Sequence, residues 1–137
     1  MGFQQDKRIS MLSPPNHSTV TLPVTVRWKV TAAVPAARFA VFLDRAPQAP
    51  GRPLSALARD DRTCHPSEGC PDAAWFAQHN VYPTTGTSFP IHALPTFSKA
   101  ERQQFHEVTV VLLDGDSRRI GESAFWVEFK VRSRSQA

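Results

Sequence analysis

The stretch His106 to Val131, HEVTVVLLDGDSRRIGESAFWVEFKV, carries the strongest fold signal in this chain. Apolar residues alternate with mostly polar ones on both sides of Asp114-Gly115, which is the pattern of half-buried β-strands. Asp-Gly favours tight turns that need positive φ, so the stretch predicts a hairpin. The apolar faces of its two strands hold Val108, Val110 and Leu112, and Phe125, Val127, Phe129 and Val131. A hairpin cannot bury such faces alone, so other strands must cover them.

Earlier segments repeat this alternation and predict the covering strands. The clearest is 24–30, where Trp28 falls on the apolar face and is a typical core residue because it supplies so much contact area. Phe42 breaks the alternation of the next strand, 38–44, which is therefore covered on both sides or lies under a loop at that point. A proline makes 87–94 an edge or bulged strand. The predicted core residues are Val26, Trp28, Val41, Val108, Val110, Phe125, Val127 and Phe129.

These segments together predict the fold class. About seven short strands with alternating faces and no long helix indicate an all-β fold, an antiparallel β-sandwich, with a small barrel as the alternative. The length of 137 residues suits one domain, 1–137, with an ordered core at 8–132.

The strand pattern resembles that of bacterial immunoglobulin-like and fibronectin-III-like domains. Such modules often open with a segment like SPPNHSTV at 13–20, continue into a strand like 24–30 and close with a strand pair like 108–131. The resemblance covers about 80 residues and implies an immunoglobulin-like sandwich. The sequence departs from antibody-type domains, because both cysteines lie in one loop, Trp28 precedes the strand expected to carry the tryptophan, and no tyrosine corner is visible. The resemblance thus supports an architecture and leaves function open.

A long, turn-rich connection at 44–87 separates two of the predicted strands. It holds Cys64 and Cys70, whose spacing favours a disulfide that closes a small loop, with a zinc site that includes His65 and His79 as the alternative. A disulfide implies an oxidising compartment, so we expect an extracytoplasmic location: secreted, periplasmic or in the cell envelope. Connections this long are uncommon in compact domains and are often functional.

The first residues of the chain leave the location open to a second interpretation. Residues 1–10 lack the apolar segment of a signal peptide. Either the protein works in the cytoplasm or in a virion, or a leader or anchor has been removed.

Charge and hydropathy exclude two classes of partner. The net charge is +4, but the arginines are scattered and acids lie close to them. Nucleic-acid binders usually cluster their basic residues on one face, so we expect no nucleic-acid partner. No apolar run is long enough to span a membrane, so we expect no membrane insertion by this chain.

No motif in the sequence carries catalytic chemistry. A nucleophile elbow, a phosphate loop and a paired-carboxylate site with flanking structure are all lacking, so we expect a protein that is not an enzyme and uses no cofactor. The five histidines are spread along the chain. A copper or zinc site near His92 and His106 is conceivable, but scattered surface imidazoles are commoner, and no metal site is predicted.

The aromatic residues of the loop 59–82 are the candidate binding residues: Trp75, Phe76 and Tyr82, with His79 between them. Asp72 is placed to cap a short helix that carries the first two. Trp and Tyr are frequent at binding hot spots, although the same rings can instead cover one end of the sandwich and anchor the loop. We therefore predict a non-catalytic interaction or structural module of an extracytoplasmic or surface assembly, which binds a protein partner through this loop. The alternatives are a carbohydrate- or other ligand-binding accessory module and a virion structural or decoration protein.

Overall fold

A computed structural model of the chain describes residues 9–30, 38–92, 104–120 and 125–131, with the backbone alone at 104, 105, 125 and 126. These residues form eight strands: β1 (Ile9–Ser13), β2 (Ser18–Val20), β3 (Val24–Val30), β4 (Arg38–Leu43), β5 (Val81–Thr84), β6 (Ser88–Ile91), β7 (Gln104–Leu113) and β8 (Phe125–Val131). Between β4 and β5 lie two 3-10 helices, Leu54–Ala58 and Pro66–Glu68, and the helix α1 (Ala73–Gln78). The predicted predominance of β-structure is confirmed.

The strands form two sheets, with the orders β1-β3-β6 and β2-β8-β7-β4-β5. All neighbours are antiparallel except β2 and β8, which run parallel. The prediction of purely antiparallel pairing is therefore wrong for this pair. The chain leaves the smaller sheet after β1 and joins the edge of the larger sheet at Ser18. A period of two shows which face of a strand is buried, but it does not show the direction of the neighbouring strand.

The main core, here called the inner core, lies between the two sheets. Its buried residues are Ile9, Val26, Trp28, Phe39, Val41, Leu43, Ile91, Val108, Val110, Leu112, Val127 and Phe129. Seven of the eight predicted core residues are in this set, and the side chain of the eighth, Phe125, lies outside the described residues. Trp28 points inward as predicted, and its ring meets that of Phe39 edge-on at 5.5 Å.

A second cluster, here called the outer core, lies on the opposite face of the larger sheet. It contains Ala40, Phe42, Leu54, Ala58, Cys64, Trp75, Phe76, Val81, Val111 and Leu113. The connection between β4 and β5, residues 44–80, folds over this face and is called the outer layer below. Strand β4 is thus covered on both sides, which is one of the two arrangements that Phe42 predicted. A single core was predicted, although two consecutive apolar pairs in β7 break its alternation and signal burial on both faces.

The turn after β7 differs from the predicted tight hairpin. Strands β7 and β8 pair from Gln104↔Val131 to Val110↔Phe125, so residues 111–124 separate their paired segments. Asp114 does begin a turn: its carbonyl oxygen accepts a hydrogen bond from the Ser117 N–H at 3.0 Å. The residue with positive φ is Ser117, at 60°, rather than the glycine. The Asp114 carboxylate accepts the backbone N–H groups of Asp116 and Arg118, which stabilises this wider turn.

Candidate binding surface

The outer layer is attached to the sheet by backbone hydrogen bonds to the turn after β7. Gly51 donates to the carbonyl of Arg119, and Arg119 donates back to the carbonyl of Arg52, both at 3.0 Å. Leu54 donates to Ser117 at 2.9 Å. The predicted long loop 44–87 is therefore largely ordered structure, and its last part includes strand β5. Its backbone groups are satisfied by the sheet as well as by its own turns.

The two cysteines of the outer layer are bonded to each other. The Cys64–Cys70 disulfide has a Cα–Cα distance of 5.2 Å and confirms the predicted bridge. Cys64 is buried in the outer core, whereas His65 is exposed. The zinc alternative fails, because oxidised cysteines supply no thiolate to a metal.

The helix α1 presents Trp75 and Phe76 to the outer core. Asp72 caps the helix as predicted, and its side chain accepts the Trp75 backbone N–H at 2.9 Å. Trp75 is 9% exposed and Phe76 is 7% exposed. Their rings meet edge-on with centroids 5.4 Å apart. Both residues act as packing groups here, and little of either ring remains for a ligand.

Polar groups surround the edge of the Trp75 indole. Its Nε1–H donates to Asp61 Oδ2 at 2.7 Å, while the hydroxyl and backbone N–H of Thr63 donate to Asp61 Oδ1 at 2.7 and 2.9 Å. The Thr63 hydroxyl, the Trp75 indole and the Thr63 backbone together lower the pKa of Asp61 from 3.8 to about 2. The His79 ring stacks on the indole at 3.9 Å, and its Nδ1 lies 2.8 Å from the Trp75 carbonyl oxygen.

Tyr82 lies apart from the other predicted binding residues. It is on β5, where alternate residues face opposite sides of the sheet, and it packs against the inner core. Its ring centroid is 4.6 Å from that of Phe89 on β6. Because β5 and β6 are edge strands of different sheets, this contact packs the two sheets together at that edge. The structure thus groups Trp75, Phe76 and His79 and places Tyr82 elsewhere.

Three open clefts follow one another, the first two along the outer layer and the third beside Arg38, Thr84 and Leu113. The first, of about 470 Å³, lies beside the disulfide and is lined by Arg52 and Arg59 among others. The second, of about 360 Å³, shares Pro53, Ser55 and Pro71 with the first. The third, of about 380 Å³, shares Pro83 and Ser117 with the second. Sequence reasoning missed these clefts, because their walls come from separate segments whose proximity no local pattern reveals.

A buried His–Asp pair joins the end of β4 to β7. His106 Nδ1 lies 2.6 Å from Asp44 Oδ2, and the two side chains are 2% and 7% exposed. Asp44 Oδ1 also accepts the Glu107 backbone N–H at 2.8 Å. A His–Asp pair is part of many hydrolytic triads, but a pair sealed from solvent cannot reach a substrate. Its position indicates a structural role.

The described residues contain no group of three or more His, Cys, Asp and Glu side chains that could hold a metal ion. The two histidines at which a metal site was conceivable differ in burial: His92 is exposed, whereas His106 is buried. No helix in the described ranges has both the length and the apolar character needed to cross a membrane.

Comparison of the chain with protein-family models, with curated proteins and with solved structures finds no match.

Proposed function

We propose that this protein is a non-catalytic interaction module of an extracytoplasmic or surface assembly, and that it binds a protein partner through residues 59–82, most of which belong to the outer layer. The observation that carries the proposal is the construction of this layer. A connection that only had to link β4 to β5 needs a few residues. Here it has its own buried core, a disulfide and a row of clefts.

The architecture that we propose is an immunoglobulin-like sandwich. The sheet order β8-β7-β4-β5 corresponds to the strands G, F, C and C′ of variable-type domains, and β3 and β6 correspond to B and E. The strands β1 and β2 then represent one first strand divided between the sheets. The chain departs from antibody-type domains in that its disulfide lies within the outer layer, Trp28 is on β3, and the tyrosine is on β5. Sandwich domains commonly bind through connecting segments that the sheets hold in place.

Preorganisation is the physical reason why a cross-linked layer suits binding. The disulfide, the Asp72 cap and the Asp61–Trp75 hydrogen bond restrict the layer before any partner arrives. Less conformational entropy is then lost on association. The disulfide also supports an oxidising, extracytoplasmic location. The carbohydrate-binding alternative receives less support, because the candidate ring faces of Trp75 and Phe76 are buried.

Partner capture with matched surface variants tests the proposal. The biotinylated protein is incubated with the extracytoplasmic fraction of its native host, and the captured proteins are quantified by mass spectrometry. We expect a specific partner that a triple alanine variant of the exposed residues Arg62, His65 and Glu68 no longer captures. A control variant, R27A/K29A, changes exposed residues of β3 in the smaller sheet and should retain it.

Capture of the same partners by the triple variant, or loss of capture only in the R27A/K29A control, contradicts a contact surface at 59–82. Circular dichroism and thermal melting of each variant show that the fold is intact before capture is compared.

A further inference from the structure

The first cleft carries unpaired positive charge. Arg52 and Arg59 line it and are exposed, and neither guanidinium makes an ion pair or hydrogen bond within the part of the chain that the structure describes. Asp61 also lines the cleft and is ionised, but both of its carboxylate oxygens already accept hydrogen bonds, and the two arginines leave the lining with a net positive charge. Prolines and the disulfide form much of the remaining wall, which is apolar and stiff. The cleft therefore offers two free cationic donors beside a preformed apolar surface.

The second cleft has the opposite charge. Asp72 and Asp116 line it, and both residues are exposed. No lysine or arginine of the described residues is part of its lining. The two clefts are adjacent, because Pro53, Ser55 and Pro71 line both. One ligand that occupies both clefts must change the sign of its charge along its length.

We propose that the two clefts bind an extended segment of a partner protein, with acidic side chains at Arg52 and Arg59 and a basic side chain at Asp72 and Asp116. This inference rests on the proposed function and specifies the chemistry of the partner. Guanidinium groups pair with carboxylates through parallel hydrogen bonds, so they select acidic residues by geometry as well as by charge. An extended chain suits a row of open clefts, and its apolar stems can contact the proline walls.

Other occupants match the charge pattern less well. A nucleic acid is negative along its whole length, so its phosphates would be attracted at the first cleft and repelled by Asp72 and Asp116 at the second. It would also need exposed aromatic rings for base stacking, whereas Trp75 and Phe76 are buried. A polypeptide is the polymer that supplies both signs of charge in one short segment.

Synthetic peptides of defined charge test the inference directly. The probe is a fluorescein-labelled peptide with a glutamate-rich half and a lysine-rich half, both spaced by proline and serine. All-glutamate and all-lysine peptides and a single-stranded oligothymidylate serve as comparisons. We expect the mixed peptide to bind most tightly, to weaken as salt is raised, and to shift the backbone amide NMR signals of residues 52–72. Tighter binding of oligothymidylate, no binding of the mixed peptide, or shifts confined to the smaller sheet would overturn the proposal.

A charge-reversed variant supplies the matched test. R52E/R59E should weaken binding of the mixed peptide about tenfold, because two partly exposed charge pairs are lost and replaced by repulsion. R27E/K29E makes the same change of net charge on the smaller sheet and should bind as the wild type does. If R52E/R59E binds the mixed peptide as tightly as the wild type does, Arg52 and Arg59 do not contact its acidic half and the proposal is refuted. Both substitutions are at exposed positions, and a melting curve verifies folding.

The same variants separate this inference from the proposed function. If R52E/R59E and the Arg62, His65 and Glu68 variant both lose the partner captured from the host fraction, both stand. If R52E/R59E alone loses it, the arginine cleft contacts the partner but the proposed contact at 59–82 fails. If it keeps that partner while the Arg62, His65 and Glu68 variant loses it, the cleft assignment fails and the proposed function stands. If both variants keep the partner, both proposals fail.

Discussion

Trp28 is the largest side chain of the inner core, and it is only 2% exposed. Its Nε1–H has no hydrogen-bond partner among the described residues, and such a buried donor costs about 1–3 kcal/mol. We expect Trp28→Ala to lower the free energy of unfolding by about 3–5 kcal/mol, because it leaves a cavity. Trp28→Phe should cost less, since it keeps a ring and removes the unpaired donor.

Chemical denaturation measures both changes. Arg27→Ala, at the exposed neighbouring position, is the control and should stay within about 0.5 kcal/mol of the wild type. A cost below about 1 kcal/mol for Trp28→Ala would show that the side chain is not in the core.

Asp61 links pH to the order of the outer layer. Its pKa is lowered to about 2 in the folded protein by the Thr63 hydroxyl, the Trp75 indole and the Thr63 backbone. A carboxyl group with a depressed pKa stabilises the fold above its unfolded pKa and loses this effect as pH falls through the folded value. We therefore expect the Trp75–Asp61 contact to persist at pH 4 and to weaken towards about pH 2.

The Trp75 indole N–H resonance in NMR spectra reports this transition. Asp61→Asn should shift that resonance at neutral pH and remove its acid transition. Asp60→Asn, at the exposed neighbouring position, should change neither. An acid transition that survives in Asp61→Asn would assign the pH response to another group.

The end of β4 is joined to β7 through Asp44, which has a φ of 59° and holds the buried His106. Asp44→Ala removes two hydrogen bonds and places an unfavourable residue in the left-handed region, so we expect a loss of about 3 kcal/mol. Asp44→Asn tolerates the same backbone and keeps an acceptor, and should cost less. Asp44→Gly relaxes the backbone but lacks the carboxylate, so its unfolding free energy separates the two effects. Equal stability of the alanine variant and the wild type would contradict a structural role for the pair.

The outer layer depends on its disulfide. We expect the double variant C64S/C70S to lose about 2 kcal/mol of stability, because the closed loop is short. Faster hydrogen exchange should be concentrated at 54–78 rather than in β3 and β7, since Cys64 packs in the outer core. Intact-mass analysis after thiol alkylation, with and without reductant, first establishes that the native protein holds the bond. Two freely alkylated thiols in the unreduced protein would remove the bridge and the argument for an oxidising location.

The two cores of the molecule share strands β4 and β7. Phe39 and Val41 face the inner core, whereas Ala40 and Phe42 face the outer core. We therefore expect one cooperative unfolding transition, and we expect Phe76→Ala to lower the stability of the whole domain by about 3–5 kcal/mol. Tryptophan fluorescence and circular dichroism should give coincident denaturation curves. Gln78→Ala, exposed on the same helix, is the control, and two separate transitions would show that the outer layer unfolds independently.

The amino-acid pattern alone was enough to predict the parts of this molecule that depend on neighbours in sequence. Alternation predicted which residues of β3, β7 and β8 face the inner core, because one side of a strand carries every second residue. The Asp72 cap and the disulfide were predicted for the same reason, since each connects residues a few positions apart.

Long-range contacts determined the rest, and no local pattern shows which segments make them. The parallel pairing of β2 with β8, the outer core and the cleft walls all depend on segments that meet only in the folded chain. The candidate site illustrates the difference: Trp75 and Tyr82 are close in sequence, yet β5 turns Tyr82 towards the inner core while α1 turns Trp75 towards the outer core. The aromatic residues of the loop predicted a binding surface. In the structure, Trp75 and Phe76 are buried and Tyr82 packs against the inner core. Arg52 and Arg59 line one cleft and Asp116 lines the next. These charges lie in adjacent clefts only because hydrogen bonds hold the outer layer against the turn after β7.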